Sequence, residues 1–593
     1  MRTSSSRPSS RHAARVSALV AIALCAFTPI AVSAAGAPSG STPRGAVGDA
    51  LRSWIDANGD AGVELEGVYL GEHDGVAAAY RAGGATRRDV GVFAASGGLD
   101  AGEAYVSVPW SLVLSAETVG ARRPALGALL TQLRAEYGAD EKSALMLALL
   151  HERFASPEDS PWRDYLAALP APGDDDGFDA TTRWSPASLR ELRGSLVLDD
   201  AIADQARVRA VHKGFTARVF EANHAGATKK TVQRLFPPRA ATLAATEWAW
   251  SVVHSRASRV PGKGLAIVPL ADMINDADAV ELEARARARG KEKEKGVSET
   301  DFEKDFVVYD ATHDRAAVYA KRDYRAGEEV TERYGDWSDA DTLLSAGYVR
   351  GVRDGVSEAD GEVSVSCVAV SLGASPELSP EPERAREDAR AADALKDHGF
   401  EVPWRACLSP AMRGSRDAKR VAKWASIVAE NNPEEDANAT TAALAGEEKD
   451  AERRAGGARG GGVLLRALDR RLALYPTSLE HDEDALRMYR EQLERAVLRT
   501  RELEEAEEGD AGTTSEENVH SREEVAEARR SLVVTRRAAL ATALRAREKR
   551  ALAATRASLA GDAGGDIFAW ADAASPTRFR DENSENSDAK DEL

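Results

Sequence analysis

The stretch Lys321–Val349, KRDYRAGEEVTERYGDWSDADTLLSAGYV, gathers the residues of this chain whose types and spacing could do chemistry. It reads as a polar strand, a turn at Ala326-Gly327, a second strand through Glu328-Glu329-Val330-Thr331, and then Tyr334-Gly335. A Gly after a strand-ending Tyr frees the backbone to turn sharply and leaves the phenol at the rim of whatever lies below. A phenol held there can hydrogen-bond a reacting nitrogen or orient it. An ordinary turn tyrosine looks the same, so the weight of Tyr334 rests on its companions. Those are two more short segments, Gly91-Val92-Phe93-Ala94 and Ala271-Asp272-Met273-Ile274-Asn275. The sequence has no paired cysteines, no His-Glu-x-x-His and no Cys/His cluster, so no metal site is expected. It also lacks a P-loop, a Ser nucleophile elbow and a Gly-x-Gly-x-x-Gly after a strand.

These segments need elements to position them. Val63-Glu64-Leu65, Gly67–Leu70 and Gly91–Ala94 read as short strands with glycine breaks, and Ala104–Val108 as another, ending at Pro109. From about residue 116 to 253 the pattern becomes helical, with an apolar helix at Glu141–Phe154 and a longer amphipathic run at Leu189–Phe220. Trp162, Trp184, Trp248 and Trp250 fall there and are expected in the core. Strand character returns at Leu265–Pro269. A charged stretch at about 280–305 then reads as a solvated insertion, and Phe306–Tyr309 with Ala316–Tyr319 as a hairpin. A Pro/Glu/Ser linker at 371–389 precedes Ala/Leu/Arg/Glu helices at Val463–Leu474, Ser478–Glu508 and Ser521–Leu559. Their apolar spacing fits helices packed on one another, with a solvated coiled coil as the alternative.

The 593 residues suffice for two or more domains, and the formal net charge of −19 argues against a nucleic-acid partner. Arg2, Arg7, Arg11 and Arg15 precede an apolar run, Val16–Val32, and small residues at Ser33-Ala34-Ala35: the order of a secretory signal over 1–34. A flexible lead follows over 35–59, with a short helix at Leu51–Ala57. Residues 576–593 form an acidic tail ending in Lys590-Asp591-Glu592-Leu593, a receptor-read retrieval signal. Both ends lead to the endoplasmic reticulum lumen as the expected compartment, with the retrieval receptor as a partner and no membrane span in the mature chain. Cys25 leaves with the signal. Cys367 and Cys407 remain where disulfides form, and whether they pair is open. Asn438-Ala439-Thr440 is a glycosylation sequon.

Taken in order, the segments resemble a SET-domain protein methyltransferase, of the branch containing Rubisco large-subunit lysine methyltransferase and actin-histidine methyltransferase. GVFAASGGLDAGEAYVSVPWSLVLS is similar to the N-terminal SET piece, with Gly91 at the second glycine of its glycine-x-glycine. LLHE at Leu149–Glu152 and SPWRDYLAALP resemble the insertion, and Trp250 through Ser255-Arg256-Ala257 its W…S-R-A segment. VPLADMIND resembles P-L-A-D-M-x-N-H, and the stretch around Tyr334 resembles A-G-E-E-V…Y-G-x-x-S-N-A-E-L-L…G-F. YPTSLEHDEDAL and LRAREKRAL resemble the helical substrate-binding domain of that branch.

The resemblance implies an α+β fold: a β-rich SET core of small sheets at 60–350, split by the helical insertion, then an all-helical substrate-binding domain at 390–575. It implies S-adenosylmethionine as cofactor and methyl transfer to a side-chain nitrogen of a protein substrate, lysine before histidine, by a monomer. Substrate would lie between core and helical domain, with cofactor on the opposite face. Val90 and Gly91 would lend backbone to the cofactor, and Arg256 would pair with its carboxylate, the alternative for Arg256 being a surface ion pair. Asn275 and Asp276 would complete the cofactor site, and Tyr334 would line the transfer channel as the catalytic residue. The chain departs from the pattern at Asp89 for a glycine, Asp276 for the His, Asp339 for the Asn, and Ala346 for an aromatic. Asp276 and Asp339 raise the alternative of a SET-like scaffold that has lost turnover and holds a partner through its C-terminal helices.

Overall fold

The structure, a computed structural model, describes residues 46–573 apart from 73–89, 156, 173–178, 221–228, 278–304, 335–337, 350–367, 373–381, 402–403, 409–411, 414, 432–447, 510–515 and 562–564. The signal, the acidic tail, the charged insertion, the sequon, Asp89 and Cys367 therefore lie outside the described residues.

In chain order the strands are β1 (Glu64–Leu65), β2 (Val68–Glu72), β3 (Val90–Ala94), β4 (Ala104–Pro109), β5 (Leu114–Ser115), β6 (Ser258–Val260), β7 (Gly264–Ile267), β8 (Asn275–Asp276), β9 (Val308–Asp310), β10 (Arg315–Tyr319), β11 (Glu329–Glu332), β12 (Val368–Leu372) and β13 (Trp404–Leu408). Among the described residues they form small sheets, ordered β1-β4-β10-β9, β2-β3-β11-β8, β5-β7-β6 and β12-β13. β4 ends at Pro109, β6 stops before Pro261 and β9 ends at Asp310; a sheet this small must bury a face on its neighbours. One pairing matters most for function. β11 runs parallel to β8, setting Thr331 beside Asn275 and Glu332 beside Asp276, while its other edge pairs antiparallel with β3.

The helical insertion packs on these sheets around three buried tryptophans whose indole N–H groups find carbonyls. Trp162 donates to Leu112 at 2.6 Å, Trp248 to Pro170 at 2.8 Å and Trp184 to Asp179 at 2.7 Å. Trp250 is only partly buried and stacks on His254 with ring centroids 4.0 Å apart. The run at Leu189–Phe220 is not one helix: it breaks into Pro186–Arg190 and Val197–Phe215. Gly194 makes the break, at φ +87°, and a Cβ there would sit 2.6 Å from Tyr475 Cα. The close approach of another segment, invisible in the local pattern, decides the geometry.

Three further expectations need correction. The lead does not extend to residue 59: Ala46–Asn58 is a helix, because Leu51 and Trp54 share a face and bury on the core, 0% and 1% exposed. The linker does not fill 371–389, since β12 runs to Leu372 and a helix starts at Pro382, a residue suited to the first helical turn. The C-terminal region is not all-helical, because β12 pairs antiparallel with β13 and sets Ala369 opposite Cys407. The rest of it is helical: Glu448–Ala473, Leu479–Gly509 and Glu516–Ala560. The last two run antiparallel, cross-linked by Glu504–Arg529 at 2.7 Å and Glu483–Arg550 at 2.6 Å. Their inner face is not a solvated coiled coil. Leu493, Leu540 and Leu544 share an apolar cluster with Trp184, Leu192 and Leu343 of the N-terminal half. Among the described residues, no helix is long and apolar enough to cross a membrane.

Candidate active site

The helix Leu243–Arg256 starts under a Thr242 cap and ends where Ala257 turns extended into β6, leaving Arg256 at its last turn. The facing segment, Val268–Asp276, bends sharply at Leu270, a fully buried residue at φ +73°. A Leu in that region carries backbone strain, held in place by the packing around it. The bend lets Asp272 N–H donate back to the Val268 carbonyl at 3.2 Å and turns the Asp272 side chain towards Arg256.

Arg256 Nη1 donates to the Asp272 carbonyl and to Asp272 Oδ2, both at 3.0 Å, and Tyr165 hydroxyl donates to the same carboxylate at 2.7 Å. The Asp272 side chain is 1% exposed, so the surface-pair alternative for Arg256 fails on its partner's side. Burial pushes the Asp272 carboxyl above its usual range, and Arg256 and Tyr165 pull it back. On the guanidinium, burial works against the charge but Asp272 outweighs it, so Arg256 stays a cation. Its Nε is buried and has no partner among the described residues. An unpaired N–H of a buried cation is costly unless a ligand completes it.

Asn275 and Asp276 sit on β8, with Asn275 Nδ2 donating to Glu329 Oε1 at 2.8 Å. Glu329 lies opposite Phe93 on β3, which ties β8 through β11 to Val90 and Gly91. Gly91 pairs with Gly71 across β2 and β3. Tyr334 lies two residues past the end of β11 and is half-buried. Its hydroxyl donates to the Ile274 carbonyl at 2.6 Å, and its N–H donates to Asp276 Oδ1 at 3.0 Å. Burial first, and then the charge of Asp276, push the phenol far above its ordinary range, so it stays a neutral donor.

The structure thus gathers Arg256, Asn275, Asp276 and Tyr334 around the single segment 272–276 and joins Val90 and Gly91 to it through one strand. Sequence reading passed over Asp272, Tyr165, Glu329 and Tyr348. Asp272 stood inside the quoted VPLADMIND motif, and only its burial beside Arg256 gives it a role. Tyr348 donates its hydroxyl to Asp276 Oδ2 at 2.6 Å. Asp339 faces elsewhere: it is 3% exposed and pairs with Arg547 of the Glu516–Ala560 helix at 2.9 Å.

No family model matches the chain. In sequence it is 33% identical over 138 residues to the Rubisco large subunit N-methyltransferase of Pisum sativum, covering 23% of this chain and 25% of that one. It is 27% identical over 255 residues to the actin-histidine N-methyltransferase of Homo sapiens, covering 42% and 36%. The matched stretches thus span a quarter to about a third of these relatives' length. Among solved structures, the SET domain of LSMT bound to lysine and AdoHcy matches at a TM-score of 0.50 and 19% identity, covering 85% of this chain and 89% of that one. The protein is similar in sequence to this branch of protein methyltransferases and has a SET-domain fold.

Proposed function

We propose that this SET-fold protein is an S-adenosylmethionine-dependent methyltransferase acting on a side-chain nitrogen of a protein, lysine in preference to histidine, and that it meets its substrate in the secretory pathway. The orphaned Nε of Arg256, buried beside Asp272, Tyr165 and Tyr334, carries the reading. A cofactor carboxylate is the group that would complete it, so the residues present fit such a ligand. Val90, Gly91, Asn275 and Arg256 are the residues to hold it; Asp276, expected with them from the resemblance, turns its carboxylate to Tyr334 and Tyr348 instead. The bound cofactor would supply an activated methyl group on a positively charged sulfur.

The chain itself has little covalent work to do, and position supplies most of the rate. Tyr334, doubly tied to segment 274–276, presents a rigid neutral phenol that can hold the lone pair of an incoming amine in line. The burial that pushes the phenol upward also disfavours a protonated amine, and a lysine must lose its proton before it attacks. The scaffold alternative loses one of its two supports, because Asp339 is engaged by Arg547 and need not disturb a cofactor. Lysine stands before histidine on the resemblance alone.

Calorimetric titration with S-adenosylmethionine tests the reading. The wild type is expected to bind, Arg256→Ala to lose binding, and Tyr334→Phe to keep it. No binding by the wild type at millimolar cofactor would favour the scaffold. The compartment is tested separately by replacing Lys590–Leu593 with alanines, which should move the protein from cells into the medium.

A further inference from the structure

We propose that Asp276 and Tyr348 act as one positioning unit that fixes the backbone at Tyr334 and thereby aims its phenol. The methyltransferase reading enters only in what the phenol is aimed at. The backbone of Asp276 is already fixed: it lies beside Glu332 in the parallel pair, and the next residue, Ala277, donates its N–H to the Glu332 carbonyl at 2.8 Å. The side chain then meets two donors, one on each oxygen: Tyr334 N–H on Oδ1 at 3.0 Å and Tyr348 hydroxyl on Oδ2 at 2.6 Å. A carboxylate offers two acceptor oxygens and no donor. A neutral histidine or an asparagine offers one acceptor group only, so it reaches both partners only if the Tyr348 hydroxyl turns round to accept, and the charge on the bond is lost. The short phenol–carboxylate contact is the stronger, charge-assisted kind.

The far end of the unit is anchored as firmly. Tyr348 follows Gly347, at φ +79°, where a Cβ would lie 2.3 Å from the Asp179 carbonyl carbon. The insertion therefore sets Tyr348, Tyr348 sets the Asp276 carboxylate, and the carboxylate sets Tyr334. The phenol's own bond to the Ile274 carbonyl closes the loop on the same segment. The substitutions fit one another as well. Asp276 stands where the resembled pattern has His, and Tyr348 where it has Phe, so the added acceptor and the added donor meet. One of the two departures that raise the scaffold alternative thus carries its own compensation.

The test compares Asp276→Asn, Tyr348→Phe and the double variant in the full chain. Wild-type and variant proteins carry 13Cζ-tyrosine, with the Tyr334 resonance assigned through Tyr334→Phe. Tyr348→Phe, which removes one hydroxyl and leaves the ring, is expected to shift the Tyr334 resonance. Asp276→Asn should shift it further and let the phenol ionise at lower pH. In urea the double variant should lose less than the two single losses added together, because the charge-assisted bond between the two side chains is already gone in each single variant. Affinity for S-adenosylmethionine should move less than about threefold in each. An unchanged Tyr334 resonance in Tyr348→Phe, or additive urea midpoints, would overturn the proposal. A loss of cofactor affinity beyond about tenfold in Asp276→Asn would also overturn it, by making the carboxylate a cofactor contact. The resonance and urea arms need no cofactor, so failure of the wild type to bind it sinks only the methyltransferase reading.

Discussion

Tyr334 and Arg256 show how a residue's neighbours decide its chemistry. A phenol held neutral by burial and by Asp276 cannot act as a base, so its contribution is a directed hydrogen bond. On the proposed reading, Tyr334→Phe should therefore slow methyl transfer roughly a hundredfold once a substrate is in hand, the usual cost of one positioned hydrogen-bonding group, with cofactor affinity intact. Arg256 is different, because its charge is shared with Asp272. Asp272→Asn should leave the guanidinium without its buried counter-ion and destabilise the protein by about 3 kcal/mol, read as a urea midpoint. His254 supplies a pH signature away from the site. Burial, reinforced by Lys142, lowers it from 6.5 to about 4, so the folded state keeps it neutral while the unfolded chain protonates it. The unfolded state then binds more protons between those values, and stability rises with pH across that window. His254→Gln should flatten the slope of urea midpoint against pH between about 4 and 6.5.

Elements impose constraints that no single residue carries. The helix Asp339–Ala346 opens with a Ser338–Asp341 capping box and closes at left-handed Gly347, so both ends are fixed locally. Its outer neighbour is the Glu516–Ala560 helix, reached through Asp339–Arg547. Gly347→Ala strains the positive φ and drives a methyl into the Asp179 backbone. A loss of at least about 2 kcal/mol is expected, with the Tyr334 environment disturbed as well. Arg547→Ala leaves Asp339 buried without its partner and should cost about 3 kcal/mol, while Arg547→Ala with Asp339→Asn together should recover part of that loss. Such recovery, measured by urea denaturation, would show that the departure at 339 is structural.

At the scale of the molecule, the C-terminal helices complete the N-terminal half. The shared apolar cluster is accompanied by buried charge: Asp482 takes Arg545 at 3.1 Å and Lys549 at 2.5 Å, and Glu548 accepts from Ser195 at 2.8 Å and Tyr475 at 2.7 Å. Asp179 of the insertion is held by Arg536 and Arg537. Each of these charges was built in on the assumption of a partner far along the chain, and removing the partner leaves it stranded. A chain ending at residue 380 should therefore be poorly soluble and bind a hydrophobic dye, because Trp184, Leu189, Leu192 and Leu343 lose their cover. A truncated form that stays soluble and binds S-adenosylmethionine would show that the helices serve substrate alone.

The sequence by itself determined the order of the short strands, the helical insertion and the long C-terminal helices, because periodicity and glycine breaks act over a few residues. It also marked Tyr334, Arg256, Asn275 and Asp276 as the positions to watch. What they hold was decided only in the tertiary structure. Asp272 and Arg256 meet across a bend at a left-handed Leu270, and Asp276 meets Tyr334 and Tyr348 across a parallel strand pair. Asp339 meets a helix more than two hundred residues later. A carboxylate's role depends on which donors reach it, and those donors arrive from segments that the chain brings together only when it folds.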